Sequence, residues 1–203
     1  LQIQAIAQAQ AKIHVALKDF PLKRDFNRNH RYWSDVAEQL RPNMNDDDQS
    51  LLDQVFQQFA KITQQYPDRP VGFIHSDLFR DNTLFEGDQL RGILDFYELN
   101  QDEFLFDVAI SINDFCTAYP NAHLDQAKAE AFLAEYQSIR QLTADELACL
   151  NIFLAMAACR FWSMRLQVAQ KNAEQGRTGE DISQKDPMEM RMMLQDRLQK
   201  VQA

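Results

Sequence analysis

Residues 71–107, VGFIHSDLFRDNTLFEGDQLRGILDFYELNQDEFLFD, constrain this chain more than any other stretch. Val71–Ile74 is a short apolar, β-prone run that ends at His75. Asp77 and Asn82 follow in HSDLFRDN, so oxygen-bearing side chains gather where a buried strand has just stopped. Two more β-prone pieces, 83–85 and 90–94, are joined by Glu86-Gly87-Asp88-Gln89, which has the composition of a tight hairpin turn. With the turn centred near Asp88, antiparallel pairing sets Asn82 opposite Asp95. Opposed residues of a hairpin lie roughly 5 Å apart.

Such a pairing lets an amide oxygen and a carboxylate share one hard cation. Mg²⁺ prefers that environment: one or two protein oxygens, several waters and the phosphates of a substrate. Asp77 is then left beside the same spot as a base. An Asp that takes a hydroxyl proton, an Asn five positions on that holds metal, and a later Asp that also holds metal form the arrangement used for phosphoryl transfer. Asp and Asn are also common turn residues, because they tolerate left-handed backbone and bond their own main chain. Any one of them alone reads as structural. His, Asp, Asn and Asp at offsets 0, +2, +7 and +20, with a strand before them and a hairpin between, point to a site.

HSDLFRDN, followed by ILDFYE and FDVAISIND, resembles the aminoglycoside phosphotransferase and choline kinase superfamily, small-molecule kinases with the protein-kinase fold. The resemblance implies ATP and Mg²⁺ as cofactors, Asp77 as catalytic base, and Asn82 and Asp95 as metal ligands. It also implies that His75 and Asp107 brace the catalytic loop through backbone hydrogen bonds. Asp95-Phe96-Tyr97 stands where protein kinases carry Asp-Phe-Gly. AKIHVALKDFPLKR, DFYELNQDEFLFDVAISINDFC, AACRFWSMRL and QKDPMEMRMML resemble the homoserine kinases of that superfamily, implying phosphorylation of the homoserine side-chain hydroxyl on the route to threonine. A zwitterionic amino acid calls for an acid opposite its ammonium and an Arg opposite its carboxylate. The candidates are Arg160, Glu98, Asp102 and Trp162. The rival readings are another small-hydroxyl kinase, for choline or an aminoglycoside, and a non-catalytic binding module that keeps the scaffold.

The net charge of −9 argues against nucleic acid or an anionic membrane as partner, since both call for basic surface. No apolar run reads as long enough to span a membrane, and no secretory leader is visible, so a cytoplasmic location is expected. Cys116, Cys149 and Cys159 read as buried thiols, and the four histidines as too scattered for a metal cluster. A kinase of this type needs a glycine-rich loop and a strand Lys over the ATP phosphates, and the chain contains neither. The expectation is a C-terminal lobe, with a nucleotide-covering N-terminal lobe upstream.

The expected class is α+β and predominantly helical. Residues 1–20 alternate apolar and polar like a strand, yet their Ala and Gln favour a helix, with Ile6, Ala9, Ile13, Ala16 and Leu17 on one face. A polar, basic link at 22–29 leads to a short helix around 32–40. Acids at 46–48 open the next, with Leu51, Leu52, Val55, Phe56, Phe59 and Ile62 inward. Helices are expected over 108–118 and 125–141, the second with Phe132, Leu133, Tyr136 and Ile139 inward. Thr143-Ala144-Asp145-Glu146 is a capping box for a long helix to about 171, apolar nearly all round over 147–161. Its Arg160 is expected to snorkel or to pair with an acid. A polar, mobile loop over 172–184 then precedes a last helix from Asp186-Pro187 to about 201, whose Met188, Met190, Met192 and Met193 read as core filler.

Overall fold

The structure, a computed structural model, describes residues 1–21, 30–177 and 184–202. The expected link at 22–29, and the 178–183 part of the expected loop, lie outside these residues. In chain order the elements are α1 (Gln2–Leu17), α2 (His30–Leu40), α3 (Asp46–Gln65), β1 (Val71–Ile74), β2 (Thr83–Glu86), β3 (Gln89–Ile93), β4 (Asn100–Glu103), α4 (Phe104–Phe115), β5 (Thr117–Ala118), β6 (His123–Leu124), α5 (Gln126–Gln137), α6 (Ala144–Glu174) and α7 (Pro187–Gln202). The strands form three two-stranded antiparallel sheets, β1 with β4, β2 with β3 and β5 with β6.

Helix starts follow their caps. The Asn45 side chain accepts the Asp48 N–H at 2.9 Å to begin α3, and Asp125 accepts the Lys128 N–H at 3.1 Å to begin α5. At α6 the capping box is complete: Thr143 Oγ1 accepts the Glu146 N–H at 3.0 Å, while the Glu146 carboxylate accepts the Thr143 N–H at 2.8 Å.

The long helix α6 is the spine, against which α2, α3, α4 and α7 pack. Residues 152–163 are buried on every side, although Leu147 at the expected start of that run is exposed. By length and composition α6 could cross a membrane, contrary to the sequence expectation, but 72 % of its most apolar window is buried within this fold. Its hydrophobicity therefore serves the core. All three cysteines are buried and free.

Several expectations need correction. The buried face of α1 is Ile6, Ala7, Gln10, Ala11 and His14, not the all-apolar set; Ala16 is exposed, because two polar residues on the inward face have buried partners. Helix α5 stops at Gln137, which leaves Ile139 exposed. Met190 and Met193 enter the core, but Met188 and Met192 face outward on α7. Helix α6 continues to Glu174, into the expected loop. Helix α4 starts at Phe104 because β4 feeds directly into it. That strand, Asn-Gln-Asp-Glu, has low β propensity and forms through its pairing with β1, Val71 facing Glu103 and Ile74 facing Asn100. The pairing depends on Gly72: a Cβ there would lie 2.2 Å from Phe104 Cζ.

Candidate active site

The loop after β1 is held from behind by one carboxylate. Asp107, in the first turn of α4, is fully buried; it accepts the Ser76 N–H at 2.7 Å and the His75 N–H at 3.2 Å. Ser76 is thereby kept in left-handed backbone, φ 67°, a conformation costing a non-glycine residue of order 1–3 kcal/mol. Burial on its own would raise the Asp107 pKa. The His14 hydrogen bond and charge, the nearby His75 and the Ser76 N–H outweigh burial and hold it below the usual aspartate value.

Helix α1 supplies the other half of this clamp. Gln10 Nε2 donates to Asp107 Oδ2, to the Asp107 carbonyl and to Ser111 Oγ, each at 3.0 Å. His14 Nε2 lies 2.9 Å from Asp107 Oδ2, and Nδ1 lies 2.6 Å from the Tyr136 hydroxyl. Since an ionised carboxylate only accepts, Nε2 carries the proton toward Asp107. Neither residue was singled out from the sequence. The available signal was two polar residues four apart, continuing from Ile6 on what must be an inward helix face.

His75 then links the two halves of the site. Its Nδ1 accepts the Asp77 N–H at 3.3 Å and its Nε2 donates to the Leu94 carbonyl at 2.9 Å, which fixes the tautomer. The Phe96 ring packs on the imidazole with centroids 4.5 Å apart. Leu94 in turn donates its N–H to the Asn82 carbonyl at 2.8 Å. Asn82 therefore meets Leu94 and not Asp95, one residue off the expected register. The turn is centred between Gly87 and Asp88, and a bulge between Leu84 and Phe85 makes up only part of the shift. Asp95 follows at once in left-handed backbone, φ 60°, exposed, with its carboxylate accepting the Tyr97 N–H at 3.4 Å.

Asn82 Nδ2 donates to the Asp77 carboxylate at 3.1 Å and to the Asp77 carbonyl at 2.7 Å. The amide nitrogen is thus turned to the acid, which leaves the amide oxygen as the group able to meet a cation. Among the described residues no group of three or more His, Cys, Asp or Glu is placed to hold a metal. One amide oxygen and one exposed carboxylate nevertheless suit a hard ion that keeps waters and takes phosphate oxygens. Burial raises the Asp77 pKa to about 6, despite Arg160, Asn82 and His75, which pull it down. Such an acid is ionised at neutral pH yet still basic enough to take a proton.

The substrate candidates divide. Arg160 is interior, and the acids whose charge it feels are Asp77, Glu98, Asp107 and Asp102, so three of the four candidates share one electrostatic neighbourhood. Arg160 does not snorkel. Trp162 stands two residues on, about 200° around the helix, and is buried in the hydrophobic core. The aromatic rings around Arg160 are instead Phe161, 4.7 Å away, Trp33 of α2, 4.9 Å away, and Phe106, 5.8 Å away, none of them among the substrate candidates.

A family model described as "Phosphotransferase enzyme family" matches residues 1–142. Similar curated proteins include the homoserine kinase of Polaromonas naphthalenivorans (strain CJ2), 34 % identical over 168 residues, covering 82 % of this chain and 53 % of that protein. The homoserine kinase of Pseudomonas aeruginosa (strain LESB58) is 33 % identical over 194 residues, covering 96 % of this chain and 60 % of that protein. The chain thus spans between half and three-fifths of these relatives. Among solved structures, a microcompartment-associated aminopropanol kinase superposes with TM-score 0.68 at 17 % identity, over 99 % of this chain and 61 % of its own. A choline/ethanolamine kinase family protein from Mesorhizobium loti gives 0.67 at 15 % identity, over 98 % and 60 %.

Proposed function

Since this chain belongs to the phosphotransferase enzyme family and has the fold of the C-terminal lobe of aminoglycoside phosphotransferase and choline kinase proteins, we propose that its full-length protein transfers the γ-phosphoryl group of ATP to the side-chain hydroxyl of homoserine. The reading includes an upstream N-terminal lobe that covers the nucleotide, and a cytoplasmic enzyme of threonine biosynthesis. The observation that carries it is the loop itself. A half-buried Asp77 carboxylate is aimed by the Asn82 amide, and His75 ties that loop to the residue before Asp95.

Asp77 accepts the hydroxyl proton as the substrate oxygen bonds to the γ-phosphorus and the bond to the β-phosphate oxygen breaks, releasing ADP. Asn82 keeps the carboxylate pointed at the acceptor while offering its own oxygen, with Asp95, to Mg²⁺. When bound, that ion neutralises phosphate charge. Asp107 and α1 keep the loop from relaxing its left-handed turn at Ser76.

The test is ADP release by the full-length protein with Mg²⁺-ATP and a panel of homoserine, choline, ethanolamine and an aminoglycoside. Homoserine should give the highest kcat/KM by a wide margin. Preference for another alcohol would move the protein elsewhere in its family, and no turnover with any acceptor would favour a binding module.

A further inference from the structure

Two arginines, Arg160 and Arg197, are each only 1 % exposed, and they use their donors differently. Arg197 spends its guanidinium on Asn113 Oδ1 at 2.9 Å, the Ala122 carbonyl at 3.1 Å and Thr117 Oγ1 at 2.7 Å, with Asp196 beside it. It is a structural cross-link from α7 to the end of α4 and the β5–β6 turn. Arg160 leaves both Nε and Nη1 buried with no hydrogen-bond partner. Its guanidinium lies 4.7 Å from the Phe161 ring centroid, 4.9 Å from Trp33 and 5.8 Å from Phe106. Those rings stabilise the charge, but they do not replace in-plane acceptors for the N–H groups.

The shortage extends to neighbouring donors. Trp33 Nε1 is buried without a partner, and so is Asn100 Nδ2, on β4 between Glu98 and Asp102, two acids whose charge Arg160 feels. Four buried nitrogen donors, Arg160 Nε and Nη1, Trp33 Nε1 and Asn100 Nδ2, therefore have no hydrogen-bond partner. A buried donor without a partner in a native protein calls for a ligand, an ion or ordered water. A planar guanidinium with adjacent free donors matches a carboxylate best, because the two oxygens take two parallel bonds.

We propose that Arg160 binds the α-carboxylate of the acceptor, so that this site selects a free amino acid over an amino alcohol of the same length. The proposal rests on the reading of the acceptor as an amino acid and names what recognises it. The Trp33 and Phe161 rings hold the guanidinium in place before substrate arrives, which reduces the ordering cost of binding.

The experiment measures kcat and KM of the full-length protein for homoserine, homoserinamide, 3-aminopropanol and ATP, in the wild type and in Arg160→Lys and Arg160→Met. Homoserinamide lacks the negative charge and 3-aminopropanol lacks the whole group. Wild type should prefer homoserine to both by ~10- to 100-fold, the effect of losing a charged hydrogen-bonded pair. Arg160→Met should lower kcat with both alcohols, because the Arg160 charge acts on Asp77 whatever the acceptor, but should raise KM by a similar factor for homoserine alone, with KM for 3-aminopropanol and ATP unchanged, and so erase the preference; Arg160→Lys should recover part of it. Equal losses of kcat/KM on homoserine and 3-aminopropanol, or a raised KM for ATP, would overturn the assignment. Wild type using homoserine and homoserinamide equally would do so without any variant. Failure of wild type to use homoserine at all, while it phosphorylates an acceptor without a carboxylate, would remove both this inference and the functional reading beneath it.

Discussion

Asp107 shows how one residue sets the geometry of others. Its carboxylate takes two backbone N–H groups from the loop after β1 and two side-chain donors from α1; against burial, the His14 bond and charge, the His75 charge and the Ser76 N–H hold its folded pKa below the 3.8 of a free aspartate. A depressed acid contributes stability that is fully present above the unfolded value and is lost as pH falls through the folded one. Denaturation followed against pH should therefore show the wild type losing stability below about pH 4, and Asp107→Asn, weaker at neutral pH, should have a shallower acid limb. Identical acid limbs would mean that the clamp contributes nothing. His75, Asp77, Asn82 and Asp95 could be singled out by type and spacing, because they stand close together in the chain, whereas Asp107 was singled out only through the family resemblance. Gln10, His14 and Trp33 were not, because each owes its role to a partner more than ninety residues away or on another helix.

At the scale of elements, helices with caps and continuous apolar faces could be read directly, and α3 and α6 start where their caps predict. What escaped was structure imposed from outside. Strand β4 is polar and exists through its ladder with β1, and the inward face of α1 includes polar residues because Asp107 waits beneath it. Gly72 marks the closest approach in that ladder. Gly72→Ala would push a methyl group into the Phe104 ring, and it should destabilise the protein by about 1–3 kcal/mol, the usual cost of overpacking. Chemical denaturation gives the number directly. A neutral result would show that β1, and the loop it positions, can shift without strain. Because β1 leads straight into His75, the same variant should also lower turnover more than it lowers nucleotide affinity.

For the molecule as a whole, α6 provides a spine, and the loop after β1 is tied through Asp107 to α4 and, by Gln10 and His14, to α1. His75, Asn82 and Asp107 each bond backbone groups of the loop or the hairpin as well as one another's neighbours, so individual replacements at the tip need not unfold the lobe. The central claim is that Asp77 is the base of a phosphoryl transfer. The most direct measurement is ADP release by full-length Asp77→Asn with saturating homoserine and Mg²⁺-ATP, read beside calorimetric binding of Mg²⁺-ATP and thermal unfolding. Turnover should fall by about 10²–10⁴-fold, the usual loss on removing a general base, while nucleotide affinity and melting temperature stay near wild type. Turnover within a few-fold of wild type in a folded, nucleotide-binding variant would contradict the account.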